Sequence, residues 1–226
     1  MYEILDFHAH VLPTADHGSD SIETTLFQLE SAKSYGVERI VATPHFYPNA
    51  HSVDSFLARR NQAYNILKPY LNDSTPDIKL GAEVLICEEI ENLPGIDRLF
   101  IEGTDTLLLE LPFTKFQRSF IRSVKKLLSR GVNVVLAHAD RYASDGIESL
   151  VELGAKIQLN ADSLVSLFKR RVLYDWLKRG LVVALGSDIH GKDKRAYANF
   201  ARAKSRIAAY LPDLKAASDA IWQGSN

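Results

Sequence analysis

Seven short apolar runs alternate along this chain with longer segments of helical periodicity, and that alternation constrains the fold more than any other feature. Strands are expected over 3–8, 39–43, 78–83, 106–111, 133–138, 156–160 and 181–187. Amphipathic helices are expected over 21–35, 54–70, 116–130, 144–153, 170–179 and 193–210. Gly36, Gly131, Gly154 and Gly180 stand where four of these segments stop, in the position of a helix C-cap. Strand-then-helix units with no break in composition read as one barrel-like α/β domain spanning residues 1–226.

In such barrels the chemistry gathers at the C-terminal ends of the strands. The chain holds seven histidines, and six fall in or beside motifs at those ends: Asp6-Phe7-His8-Ala9-His10, His17 in the following loop, Thr43-Pro44-His45, Ala137-His138 and Ser187-Asp188-Ile189-His190. Glu83 and Glu110 close two further apolar strands. A carboxylate aimed into a barrel mouth is costly unless it is paired or bound to metal, and no partner for it is evident in either strand. Taken one at a time, each histidine reads as readily as a structural residue. Their shared register with strand ends removes that reading. His8, His10, His17, His45, Glu83, Glu110, His138, Asp188 and His190 are the expected metal ligands, too many for one ion.

Three other residues bear on the site. Asp6 shares the strand parity of His8 and His10 and is expected one layer deeper, orienting a ligand histidine. Arg141 lies just past His138 and suits the two oxygens of a phosphate, so it is read as the substrate clamp. Asp16 is an alternative to His17 as the loop ligand. Phe46, Tyr47, Phe113, Phe116 and Tyr142 could stack on an aromatic substrate or simply cover the barrel top.

These motifs resemble the PHP (polymerase and histidinol phosphatase) superfamily. Asp6-x-His8-x-His10, Gly81-Ala82-Glu83, Glu110, Ala137-His138-x-x-Arg141-Tyr142 and Ser187-Asp188-x-His190 stand in that family's order. Within it, the length and the His-x-x-Arg-Tyr signature are similar to the bacterial manganese-dependent protein-tyrosine phosphatases of capsule and exopolysaccharide loci. The resemblance implies a distorted seven-stranded (β/α)7 barrel with two or three divalent ions, manganese first and iron or zinc as alternatives. It implies that His8, His10, Glu83 and Asp188 hold one ion, that Glu83, Glu110 and His138 hold a second, and that His17, His45 and His190 hold a third. It also implies a substrate, the phosphotyrosine tail of a partner bacterial tyrosine kinase, and allows an oligomer. The chain departs from those phosphatases at His17, where they carry an aspartate.

The expected reaction is hydrolysis of a phosphate monoester by a metal-bridging hydroxide, since metal binding lowers the pKa of water from about 16 to about 7. A phosphocysteine route is not expected, because Cys87, the one cysteine, is followed by Glu88 and Glu89 and has no Cys-x5-Arg loop. The alternative is a small-molecule phosphatase of the same superfamily, such as a histidinol-phosphate phosphatase. A net charge of −1 provides no field for nucleic acid. No apolar run reaches about 18 residues, so no membrane insertion is expected. Met1-Tyr2-Glu3 has no basic segment of a signal peptide, and a cytoplasmic setting is expected.

Overall fold

The computed structural model of the chain describes residues 4–113, 116–166 and 170–224; Glu3, where the first strand was expected to open, lies outside them. Among the described residues there are nine strands: β1 (Ile4–Ala9), β2 (Val37–Ala42), β3 (His45–Phe46), β4 (Asp77–Leu80), β5 (Glu83–Leu85), β6 (Thr106–Glu110), β7 (Asn133–Leu136), β8 (Lys156–Asn160) and β9 (Val182–Gly186). They form one parallel sheet in the order β3-β5-β6-β7-β8-β9-β1-β2-β4. The architecture is barrel-like α/β as expected, but the strand count is nine rather than seven. One expected strand, 78–83, is interrupted, and the one expected over 39–43 is followed beyond its end by β3. Pro44 has no N–H to give to a ladder and parts β2 from β3. Gly81 and Ala82 part β4 from β5. The breaks stand side by side and are bridged by Gly81 N donating to Ala42 O (2.8 Å) and Glu83 N donating to Pro44 O (3.1 Å). The ladder resumes in step, with His45 opposite Glu83.

The helices are α1 (Ile22–Ser34), α2 (Val53–Leu67), α3 (Arg118–Ser129), α4 (Ser144–Val151), α5 (Ala161–Val165), α6 (Arg170–Lys178), α7 (Ala196–Arg206) and α8 (Leu211–Gln223). Side-chain oxygens of Ser21 and Ser52 cap α1 and α2 by accepting from Thr24 N and Ser55 N. α3 ends before Gly131, whose φ of 84° suits a residue with no Cβ. The helix expected to run to residue 70 tightens into a 3-10 turn at Lys68–Tyr70, where Pro69 cannot continue the α-helical ladder. None of the described helices is long and apolar enough to cross a membrane.

Two apolar clusters flank the sheet. The larger lies between strands and helices and includes Leu29, Phe46, Phe56, Leu109, Leu136, Leu159, Trp176 and Phe200. The smaller gathers Leu5, Phe7, Val41, Leu108, Val135, Ala137 and Val183. Ala217, Ile221 and Trp222 of α8 pack on that smaller cluster. These three are partly buried, so α8 covers one end of the inner core. Sequence periodicity stopped at residue 210 and did not anticipate it.

Candidate metal centre

The strand ends bring their polar residues together by irregularities, not by simple alternation. The register of β1 against β2 slips between Asp6 and Ala9, a bulge that re-aims side chains. Phe7 sits in the inner apolar cluster and yet its neighbour His8 enters the site. Ala137 also belongs to the inner cluster, and His138 turns inward through a left-handed φ of 31°. Asp188 does so with a φ of 50°. Non-glycine residues rarely hold such angles, and they concentrate at functional sites.

Four donor atoms from three elements face one point. His8 Nε2 is 3.1 Å from His10 Nε2, 3.2 Å from Glu83 Oε2 and 3.7 Å from Asp188 Oδ1. His10 Nε2 is 3.3 Å from Glu83 Oε2 and 3.4 Å from Asp188 Oδ1. Ligands placed tetrahedrally about 2.1 Å from an ion stand about 3.4 Å from one another. The donor set therefore fits a divalent transition metal. The opposite nitrogen of each ring is already taken: His8 Nδ1 by Gln158 Oε1 (3.1 Å) and His10 Nδ1 by Asp16 Oδ2 (2.7 Å). That is how a ligand histidine is oriented.

A second group adjoins the first through Glu83. Its Oε1 is 2.7 Å from His138 Nε2, and its Oε2 is 2.8 Å from His45 Nδ1. Glu110 approaches His138 Nε2 at 3.7 Å and His45 Nδ1 at 3.9 Å. Despite their closeness, Glu83 Oε2 and His45 Nδ1 do not meet in hydrogen-bond geometry; both are buried and unsatisfied. Leaving such atoms orphaned costs about 1–3 kcal/mol each, and a cation between them removes the cost. Donor atoms of His10, His45 and His190 make a third close group.

Other expected residues fall elsewhere. His17 stacks on His45 (centroids 4.9 Å, 11°) and lies 4.8 Å from the His190 ring, but it joins none of the three close groups. Asp16 is spent on His10, on Gly18 N (2.8 Å) and on His45 N (2.9 Å), so it orients one ring and anchors the loop. Asp6 holds main chain instead of an imidazole: its Oδ1 accepts from His8 N (3.3 Å) and Ser187 N (2.9 Å). The β1 bulge defeats the parity on which the other expectation rested. Burial raises the Asp6 carboxyl to about 6. Phe46 is fully buried and packs edge-on against Phe56, and Phe116 packs edge-on against Phe120. The rim aromatics are Tyr47, on His45, and the stacked pair Phe113 and Tyr142.

The charges are arranged unequally. Burial pushes Glu83 upward, but the charge on His8 and the bond to His138 outweigh it and hold the carboxyl well below its usual range. Glu110, buried and beside Glu83, is pushed up to about 8. Burial also works against Asp188, yet His8, His10 and Arg141 keep it low. Burial and the neighbouring His10 lower His190 to about 4. Arg141 donates to Asp188 Oδ2 and remains partly exposed at the mouth. Two buried side chains of β8, Gln158 and Asn160, were missed from the sequence. The signal was there: in Lys156-Ile157-Gln158-Leu159-Asn160 the polar residues alternate onto one face, and from it Gln158 and Asn160 reach the site.

The family model for capsular polysaccharide synthesis proteins of the CpsB/CapC type matches residues 4–209. The chain belongs to the CpsB/CapC family. A solved chain from the pair YwqE of Bacillus subtilis and CpsB of Streptococcus pneumoniae, called unique metal-dependent tyrosine phosphatases, is similar to this CpsB/CapC protein with a TM-score of 0.75. The two are 23% identical over 91% of this chain and 87% of that one. An inactive dihydroorotase-like domain from Chaetomium thermophilum is 9% identical with a TM-score of 0.54, over 99% of this chain and 79% of that one. An adenine deaminase from Arthrobacter aurescens is 15% identical with a TM-score of 0.50, over 96% and 93%. At these identities the likeness is one of fold.

Proposed function

We propose that this CpsB/CapC family member is a metal-dependent phosphomonoesterase that hydrolyses phosphotyrosine in a protein, the tail of a bacterial tyrosine kinase of capsule or exopolysaccharide synthesis, in the cytoplasm. Residues 1–226 would act as one metallophosphatase unit. The reading rests on the orphaned pair Glu83 Oε2 and His45 Nδ1, buried between donor atoms spaced for divalent ions. The metal-dependent tyrosine phosphatases of the same fold support it.

His8, His10, Glu83 and Asp188 would hold one ion; Glu83, Glu110 and His138, with His45 close by, a second. His10, His45 and His190 are grouped for a third, with His17 stacked above them. Divalent ions bound there, manganese first, acidify water and neutralise phosphate charge. The chain's own residues do the rest. Glu83 turns Oε2 to His8, His10 and His45 and Oε1 to His138, and so links the two groups. Arg141 reaches the mouth from Asp188 and is placed to donate to phosphate oxygens. Phe113, exposed against Tyr142, offers a face for the phenol ring. A phenolate with a parent pKa near 10 leaves with little protonation.

The test is to strip the protein with a chelator, restore it with manganese, and compare turnover of a phosphotyrosine peptide with that of histidinol phosphate. Manganese-dependent turnover favouring the peptide supports the proposal. A preference for histidinol phosphate moves the protein to the small-molecule phosphatases, and chelator-resistant turnover removes the metal.

A further inference from the structure

A line of hydrogen bonds along β8 has a direction that can be read from its two ends. It begins at the main-chain N–H of His138, which can only donate and reaches Gln158 Oε1 at 2.6 Å. Gln158 Nε2 donates to Asn160 Oδ1 (2.9 Å), and Asn160 Nδ2 donates to Asp188 Oδ2 (3.0 Å). With a pure donor at the start and a carboxylate at the end, neither amide can be turned over without setting donor against donor or acceptor against acceptor. Gln158 Oε1 is therefore an acceptor, and it also lies 3.1 Å from His8 Nδ1. His8 must carry a proton on Nδ1, so it is Nε2, facing Glu83 and His10, that offers a lone pair once the ring is neutral.

We propose that Gln158 and Asn160 are positioning residues that select the nitrogen of His8 and the oxygen of Asp188 presented to the metal centre. The role rests on the metal-centre reading above. One glutamine oxygen ties a ring from β1 to the strained main chain at His138, and the asparagine carries the same line to Asp188. Both amides are buried, with exposures of 0% and 1%. The space they occupy is specific: a Cβ at Gly186 would stand 2.5 Å from Gln158 Nε2 and 2.6 Å from His8 Cβ. A side chain at that strand end would displace the relay and the ligand together.

The test uses the full chain labelled with nitrogen-15 in its histidines, read at a pH where His8 is neutral before zinc, a diamagnetic probe, is titrated in. Wild type should show His8 protonated on Nδ1. Gln158→Met keeps the volume and loses the acceptor; it should show mixed protonation at His8 and bind zinc about 10- to 100-fold more weakly. Gln158→Glu keeps the acceptor and should restore the His8 signature, whereas a side chain that only filled space would be replaced better by methionine. Asn160→Asp removes the donor to Asp188. It should weaken zinc binding about tenfold or more with the His8 signature intact, and it tests the second arm if a glutamine variant does not fold. A methionine variant with wild-type affinity and His8 on Nδ1 overturns the proposal while the metal centre stands. A wild-type protein that takes up no zinc overturns the metal centre and this role with it.

Discussion

Arg141 and Asp188 form a pair in which the arginine donates to Oδ2 of the carboxylate while Oδ1 stands 3.4 Å from His10 Nε2. Arg141, partly exposed at the mouth, is thus tied to the candidate ligand set through a single carboxylate. Asn160 Nδ2 holds the same Oδ2 at 3.0 Å, so Asp188 stays oriented when Arg141 is removed. Arg141→Ala is expected to keep metal content and cut kcat/KM tens- to thousands-fold, about 2–4 kcal/mol, as for one lost charged donor. Arg141→Lys should recover part of it, because an ammonium cannot reproduce the bidentate fork. Elemental analysis beside steady-state kinetics decides the matter: loss of metal from Arg141→Ala would make the residue a support for Asp188 and not a phosphate ligand.

Glu83 places its two oxygens in two donor groups. Glu83→Gln keeps the shape and removes the charge that both groups share. Metal content should fall for both ions together, and turnover should drop on the order of 10³-fold. Loss of a single ion with the other retained at full occupancy would show that Glu83 does not bridge.

Metal uptake should depend on pH through Glu110. Burial and the neighbouring Glu83 push this carboxyl up to about 8 in the ion-free pocket. Below that pH the free protein carries a proton there that a bound ion must expel. His8 and His10, also raised, must each lose a proton to bind as well. Apparent affinity should therefore fall about tenfold or more per pH unit as pH drops below 8. Calorimetry in two buffers of different ionisation heat should find fewer protons released near neutral pH by Glu110→Gln than by wild type. Equal proton release from the two would contradict the assignment.

Gly18 belongs to the loop that carries Asp16 and His17. A Cβ there would stand 2.0 Å from His10 Cβ and 2.9 Å from His10 O. Gly18→Ala should cost about 1–3 kcal/mol through overpacking, a fall in Tm of roughly 2–12 °C, and should weaken metal binding because His10 must move. An unchanged Tm would mean that the loop moves aside freely.

The sequence disclosed more of the site's composition than of its geometry. His8, His10, His45, Glu83, Glu110, His138, Asp188 and His190 were legible because metal-ligating residue types at strand ends have few other reasons to be there. How they arrive was not legible. The bulge after Asp6 and the left-handed turns at His138 and Asp188 depend on neighbouring strands, and they break the alternation from which a role for Asp6 on an imidazole was inferred. The strand breaks at Pro44 and Gly81 were in view as residue types, but only their side-by-side pairing explains nine strands in place of seven. Gln158 and Asn160 passed unnoticed because amides are ordinary surface residues until a sheet closes over them. α8 follows directly after the last expected helix, with Pro212 in its first turn, a place where a helix tolerates proline.

The measurement that bears most directly on the central claim is phosphotyrosine hydrolysis by stripped protein as manganese is added back in counted equivalents. Clusters that share Glu83 predict almost no turnover until the second equivalent is bound, and full turnover with two or three ions per chain. Full turnover with one equivalent or none would contradict a multinuclear metallophosphatase.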